Sequence, residues 1–169
     1  AAGYTLKLPF EDKKMQSKKQ FLDDIAATLG GYAAEEMLFD DVSTGPSNDL
    51  AVITALAREM VTRYGMSDTL GPIAFGERSL GQEPYSQEVA AKIDAEVSRI
   101  ITEAKKRATK VLKDHRAALD VIAKELIEKE TLEREAFEKL LVACGITPKS
   151  PEAELVVGLL PDIPPIVRE

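Results

Sequence analysis

The sequence contains few of the residues that define several common protein classes, and cysteine is the first of these. Cys144 is the single cysteine among 169 residues, so no intrachain disulfide can form, as is typical of proteins from reducing compartments. It lies at the end of an apolar helical stretch, which indicates a packed thiol rather than a nucleophile. No apolar run approaches the roughly 20 residues that cross a bilayer, and no signal peptide is recognisable. We therefore expect the chain as given to be soluble.

Aromatic residues and basic charge are also scarce. Tryptophan is absent and aromatic residues make up 5 % of the chain, whereas hydrophobic residues make up 44 %. This composition favours a core of packed helices over a β-sandwich. The formal net charge is −7, which argues against nucleic acid as a partner, because binding phosphates requires clustered Lys and Arg. Residues 105–107 form a short basic run within a mixed-charge helix, and we interpret it as a solvated face.

Complete catalytic motifs are missing as well. The chain has no HExxH pair, no CxxC pair, no Walker loop and no GxSxG elbow. His115 is the only histidine, and it lies at a predicted helix junction, where a surface or capping role is usual. The motifs in this sequence therefore do not form a complete catalytic centre.

Hydrophobic spacing predicts a mainly α-helical fold with a small β element. Period-two alternation predicts a short strand at residues 4–8, and residues 73–75 are a candidate for a second one. Apolar residues at spacings of three and four predict five helices. These helices cover approximately residues 18–39, 50–64, 87–114, 119–127 and 132–141.

Capping residues mark the ends of these predicted helices. Ser17, Ser86 and Thr131 are predicted N-terminal caps, and Gly65 and Gly145 are predicted C-terminal ends. The pair at residues 30–31 places two glycines inside the first helix, at a cost of about 1 kcal/mol each relative to alanine. We interpret this as a sign that another backbone packs closely there. Residues 146–169 are a proline-rich tail after the helical region.

The loop before the second helix delivers an acidic residue, Asp49, to a helix start. One interpretation is purely structural: Ser47 or Asn48 caps the helix and Asp49 complements its dipole. The other is that Asp49 is a metal ligand, since a carboxylate on a stiff helix start suits that role. The spacing alone does not choose between them.

Two further carboxylates, Glu35 and Glu36, lie on the first predicted helix. A rotation of about 100° per residue places Glu36 near Leu29 and Ile25 on the apolar stripe, with Glu35 nearer its edge. A charge on a core-facing stripe needs a partner. Either the helix is two-sided or ends early, or one of these carboxylates supports a metal-binding histidine.

Several short segments follow one another in a fixed order over about residues 1–145. They are residues 3–5, 29–36, 43–50, 60–62 with 64–67, 70–72, 93–94 with 96–97, and 128–132. Any one of them would be a weak signal, but in this order they specifically resemble the FtsH family of AAA+ zinc metalloproteases.

The resemblance implies a zinc peptidase domain in which Asp49 is one metal ligand. Two histidines of an HExGH helix would supply the other ligands, and its glutamate would be the general base. Glu35 or Glu36 would lie close to those histidines. The strand containing Gly3, Tyr4 and Thr5 would lie near the cleft, where an extended protein substrate can pair with a sheet edge.

The resemblance also implies a larger parent protein. Members of the family have a membrane anchor, an ATPase module that uses ATP and Mg, and a hexameric assembly that degrades unfolded and membrane proteins. The peptidase domain would lie on the cytoplasmic or the equivalent organellar side of the membrane. Residues 1–145 would then be part of the peptidase domain.

Departures from the family pattern limit what this chain is expected to do alone. The HExGH helix, with the general-base glutamate, is expected before Ala1, so we expect this chain by itself to be inactive. Tyr32 stands where arginine is usual, and Pro46 where alanine is usual. The alternative hypothesis is a non-catalytic helical module that retains only assembly surfaces. An unrelated helical adaptor would have to match all these segments by chance.

Overall fold

Helices dominate the computed structural model, which describes residues 15–75 and 85–148. The expected mainly α-helical class is confirmed. Within the described residues there is no β-strand, only an isolated antiparallel bridge between Ser67 and Gly71. The strand predicted at residues 4–8 lies outside the described residues. The six helices are α1 (Lys18–Thr28), α2 (Gly30–Phe39), α3 (Ser47–Thr62), α4 (Gln87–Asp114), α5 (Arg116–Lys129) and α6 (Arg134–Ala143).

The chain divides into two compact units. One unit, Lys13–Arg116, contains α1 to α4, and the other includes residues 117–169 with α5 and α6. In the second unit, Ala118 is the one residue of the described part that is buried. The first unit holds the hydrophobic core.

The core of the first unit forms around α4, which packs against α1, α2 and α3. The inward-facing residues of α4 recur at spacings of three and four, which places their side chains on one face of the helix. Fully burying a large aliphatic side chain contributes roughly 1.5–3 kcal/mol, so the side chains buried between these four helices provide much of the folding free energy. The largest fully buried side chains of the unit are Ile25, Leu29, Ile53, Met60, Val61 and Ile93.

The first predicted helix is in fact two helices, α1 and α2, which meet at Leu29. Leu29 has φ −73° and ψ −3°, so the backbone turns only slightly away from helical geometry, and the uninterrupted apolar spacing gave no sign of it. The close backbone predicted at Gly30 and Gly31 is not provided by any described residue. Apart from chain neighbours and the backbone of the same helix, no described atom lies within 4 Å of a Cβ built at either glycine. These glycines lie at the start of α2, after the break, instead of inside one long helix.

Several predicted helix ends are confirmed. Ser17 forms a capping box with Gln20, in which the Ser17 hydroxyl accepts from the Gln20 N–H and the Ser17 N–H donates to Gln20 Oε1. Ser86 accepts from the Val89 N–H at the start of α4, and α4 ends at Asp114 as expected. Gly145 adopts a left-handed φ of +77° just after α6.

Two predicted caps were wrong. Helix α3 already includes Ser47 and Asn48, and its N-cap position is Pro46, which makes no side-chain cap hydrogen bond. Proline is compatible with a helix start because its missing N–H would have no helical acceptor there. Thr131 does not cap α6 either, because that helix begins later, after Glu133.

A tight turn follows α3. Gly65 has a left-handed φ of +59°, as is common just after a helix, and the Met66 N–H donates to the Met60 carbonyl at 2.8 Å. Residues 73–75 are not a strand, contrary to the expectation. The Phe75 N–H instead donates to the Thr62 carbonyl at 2.7 Å, which returns the chain to the end of α3.

Candidate functional site

Asp49 lies in the first turn of α3, and its side chain is exposed. Pro46, the residue directly before α3, is buried, so the helix start is anchored to the protein while the carboxylate of Asp49 is exposed. A negative charge at this position is favoured by the helix dipole. The sequence-based placement of Asp49 at a helix start is therefore correct, and the geometry accommodates both the dipole role and a ligand role.

Glu35 bonds to the loop that leads into α3. Its Oε2 accepts from the Ser43 N–H at 2.9 Å, and the Ser43 hydroxyl lies 3.1 and 2.9 Å from its two carboxylate oxygens. The Ser43 hydroxyl oxygen in turn accepts from the Gly45 N–H at 3.0 Å. A Cβ at Gly45 would lie 3.1 Å from Ser43 Oγ and 3.4 Å from Glu35 Oε1, so these groups are closely packed.

Glu36 bonds in a different direction from its neighbour. It pairs with Lys105 of α4 at 2.7 Å, and the Lys105 ammonium lies 5.1 Å from the centroid of the Tyr32 ring. The hydrogen bond from Glu36 raises the pKa of Lys105. The charge predicted to need a partner on this helix thus has one, and Tyr32, at the position where arginine is usual, contacts the same lysine.

Glu96 is the buried carboxylate of the first unit, and the sequence analysis gave it no role. Its side chain is 3 % exposed, and Arg99 Nε and Nη2 donate to its two oxygens at 2.8 Å each. The Thr69 hydroxyl donates to Oε2 at 3.2 Å. These hydrogen bonds, above all those from Arg99, outweigh the burial and lower the pKa of Glu96 to about 2.

The signal for Glu96 was present in the sequence. It lies on the apolar stripe of α4, three residues after Ile93 and four before Ile100, both of which are buried. The network also includes Ser67, whose hydroxyl accepts from the Leu70 N–H at 3.0 Å. Glu96 therefore fastens the turn after α3 to α4, and its role is structural.

The described residues do not form a complete metal site. Within residues 15–75 and 85–148, no three His, Cys, Asp or Glu side chains lie close enough together to hold a metal ion. His115, the sole histidine, is the exposed C-cap of α4. An exposed carboxylate such as Asp49 fits the oxygen-ligand chemistry of zinc, but a catalytic zinc site normally has three protein ligands. Gly3, Tyr4 and Thr5 lie outside the described residues.

No helix in the part of the chain that the structure describes combines the length and the apolar character that a helix needs to span a lipid bilayer.

Comparison with known proteins identifies relatives of one kind. A model of peptidase family M41 matches residues 1–140. A protein from Veillonella parvula named ATP-dependent zinc metalloprotease FtsH is 47 % identical over 163 residues, covering 91 % of this chain and 25 % of the relative. ATP-dependent zinc metalloprotease FtsH 1 of a Thermoanaerobacter species is 50 % identical over 149 residues, covering 83 % of this chain and 24 % of that protein.

A further relative, ATP-dependent zinc metalloprotease FtsH of Bacillus subtilis, is 43 % identical over 137 residues, covering 75 % of this chain and 22 % of the relative. The chain thus spans about a quarter of the length of the curated relatives that it matches. The resemblance to the FtsH family is confirmed. By the family match over most of its length and by these identities, the chain belongs to peptidase family M41.

Proposed function

We propose that this chain is the C-terminal portion of the peptidase domain of a membrane-anchored, ATP-dependent zinc metalloendopeptidase. The observation that carries the proposal is Asp49, an exposed carboxylate in the first turn of α3, in a chain whose relatives are named zinc metalloproteases. Residues 1–145 belong to this domain, and residues 146–169 form a C-terminal tail.

Asp49 contributes one oxygen ligand to the zinc, and the remaining ligands are two histidines of an HExGH helix that precedes these residues in the complete protein. In such a site the metal would supply a polarised water molecule for attack on a peptide bond. Glu35 and Glu36 keep the surroundings of the site in place. The general-base glutamate belongs to the HExGH helix, so this chain alone is inactive.

The substrate is a protein chain in an extended conformation. Such a substrate would pair through backbone hydrogen bonds with the segment Gly3, Tyr4 and Thr5, for which the sequence predicts a strand. The complete protein couples cleavage to ATP hydrolysis with Mg in a separate module. It acts as a membrane-anchored homo-hexamer on unfolded and membrane proteins, with its peptidase domains on the cytoplasmic or the equivalent organellar side.

The proposal is tested by zinc content and casein hydrolysis, measured on this chain and on the complete protein that contains it. We expect the complete protein to bind one zinc and cleave casein, and this chain to do neither. Asp49→Ala should abolish zinc binding in the complete protein, because one of three ligands is lost. The matched control is Asp94→Asn. Asp94 is an exposed carboxylate of α4 that pairs at 2.6 Å with Arg58, and Arg58 lies on α3, the helix that also carries Asp49.

Three results would count against the proposal. If this chain alone binds zinc and cleaves casein, the ligand assignment is wrong. If Asp49→Ala keeps full zinc content, Asp49 is not a ligand. If the complete protein binds no metal, the chain is better explained as a non-catalytic assembly module.

A further inference from the structure

The loop between α2 and α3 is held in place mainly by hydrogen bonds, because it buries very little. Residues 40–45 are all exposed, and only Pro46, directly before α3, is buried. A loop of this kind has little hydrophobic contact to define its position. Polar contacts, together with the buried Pro46, therefore position the start of α3 and Asp49 with it.

The side-chain hydrogen bonds that the described structure shows between this loop and a residue outside it are made by Glu35. Its carboxylate accepts the Ser43 N–H at 2.9 Å and also binds the Ser43 hydroxyl. Hydrogen bonds to a charged carboxylate are stronger than those between neutral groups. The Ser43 hydroxyl oxygen also accepts from the Gly45 N–H at 3.0 Å. Gly45 lies one residue before Pro46 and four before Asp49, so these bonds connect Glu35 to the start of α3.

The helix that carries Glu35 is itself firmly fixed. Ala33 of α2 is fully buried, and the adjacent Glu36 pairs with Lys105 of the central helix α4. Packing and the ion pair thus fix α2 against the core. Glu35 on α2 then holds Ser43, which lies close to the start of α3.

We infer that Glu35 is a positioning residue for the metal ligand Asp49 and acts through Ser43, instead of orienting a histidine ligand. This inference rests on the proposed function, because it assumes that Asp49 binds zinc. Residues that orient metal ligands typically change metal affinity 10- to 100-fold when they are mutated. The acceptor oxygens of Glu35 and the hydroxyl of Ser43 are one connected unit in this role.

The test measures zinc affinity of the complete protein by competition with a chelator, for the unaltered protein and for Glu35→Gln, Ser43→Ala and Ser43→Thr. Glu35→Gln and Ser43→Ala should each weaken zinc binding by about tenfold or more. Ser43→Thr keeps the hydroxyl and the N–H, so it should retain the affinity. The double variant Glu35→Gln/Ser43→Ala should bind zinc no more weakly than the single variant with the lower zinc affinity, because both changes break the same connection.

Cobalt(II) in place of zinc gives a second readout that a purely structural role would not alter. The visible d–d bands of the cobalt-loaded protein should change in Glu35→Gln and Ser43→Ala. They should be unchanged in Ser43→Thr and in the control Asp94→Asn. Thermal unfolding of each variant checks that the fold persists, and the exposed Ser43 makes Ser43→Ala the variant least subject to misfolding.

The outcomes separate this inference from the function on which it rests. If Asp49→Ala keeps its zinc, the proposed function itself fails. If Asp49→Ala loses zinc and Ser43→Ala binds it as tightly as the unaltered protein, only the inference fails. In that second case a weakened Glu35→Gln would indicate that Glu35 acts on a histidine ligand after all.

Discussion

At the scale of single residues, the surroundings of each carboxylate decide its role. Glu35 and Glu36 are neighbours on α2, yet one bonds to Ser43 in the following loop and the other to Lys105 on α4. The sequence could locate both residues but could not distinguish them. Their partners lie 8 and 69 positions away, and only the tertiary fold brings Lys105 to Glu36.

Glu96 should make the protein sensitive to acid. Its pKa in the folded state is about 2, below the ordinary value of 4.5, so its stabilising contribution is complete above pH 4.5. That contribution, on the order of 3 kcal/mol at most, is lost as the pH falls from 4.5 towards 2. Glu96→Gln should therefore lower the free energy of unfolding at pH 7 and flatten its pH dependence in that range.

Chemical denaturation between pH 2 and pH 7 checks this expectation. Glu88→Gln is the matched control, since Glu88 lies on the same helix but is exposed and paired with Lys92. Surface pairs of this kind contribute little, so the control curve should follow that of the unaltered protein. Parallel curves for Glu96→Gln and the unaltered protein across this range would contradict the role assigned to Glu96.

At the scale of secondary-structure elements, the structure shows which helix boundaries the sequence encodes clearly. Helix α4 was predicted well because a serine cap and a long apolar stripe agree. The break at Leu29 was missed because its backbone remains close to helical geometry. The start of α3 was misplaced because Ser47 and Asn48 are good capping residues, while the buried Pro46, a tertiary feature, sets the boundary.

The two kinds of glycine at helix ends should respond oppositely to alanine. Gly65→Ala should destabilise the first unit by more than about 1 kcal/mol, because its φ of +59° is unfavourable for alanine. The new Cβ would also lie 3.1 Å from the Cα of Pro72. Gly31→Ala should stabilise the protein by about 0.5 kcal/mol, because the space is open and alanine favours helix.

Urea denaturation of the two glycine variants provides the comparison. A destabilised Gly31→Ala variant would indicate that a backbone does approach α2 there, as the glycine pair in the sequence suggested. An unchanged Gly65→Ala variant would show that the turn after α3 tolerates a side chain.

At the scale of the whole molecule, the hydrophobic core belongs to one of the two units. Every residue of the described core cluster lies between Phe21 and Ala108. The second unit exposes much of its apolar surface, with Ile127 81 % and Val142 61 % exposed. The sequence predicted helical structure in all of these regions from apolar spacing, although it merged α1 and α2 into one helix. Spacing within a helix does not reveal which helices share a core.

A chain that ends at Arg116 should therefore fold by itself. We expect it to keep the helical circular dichroism of α1 to α4 and to unfold in a single cooperative thermal transition, because every residue of the described core cluster precedes Arg116. A broad, non-cooperative transition would contradict this. A proteolysis-resistant core ending near Arg116 in the full chain would give the same information.

The attachment of the loop between α2 and α3 at Ser43 has a consequence for how the sequence can change. Between Asp40 and Ser43 the loop is exposed, so extra residues there would bulge into solvent without shifting Ser43 or the start of α3. Between Pro46 and Asp49 the chain is already helical, and one extra residue would rotate the carboxylate by about 100° around the helix axis. Length variation should thus accumulate before Ser43 and be excluded after it, which makes the stretch before Ser43 the place to insert a tag or probe.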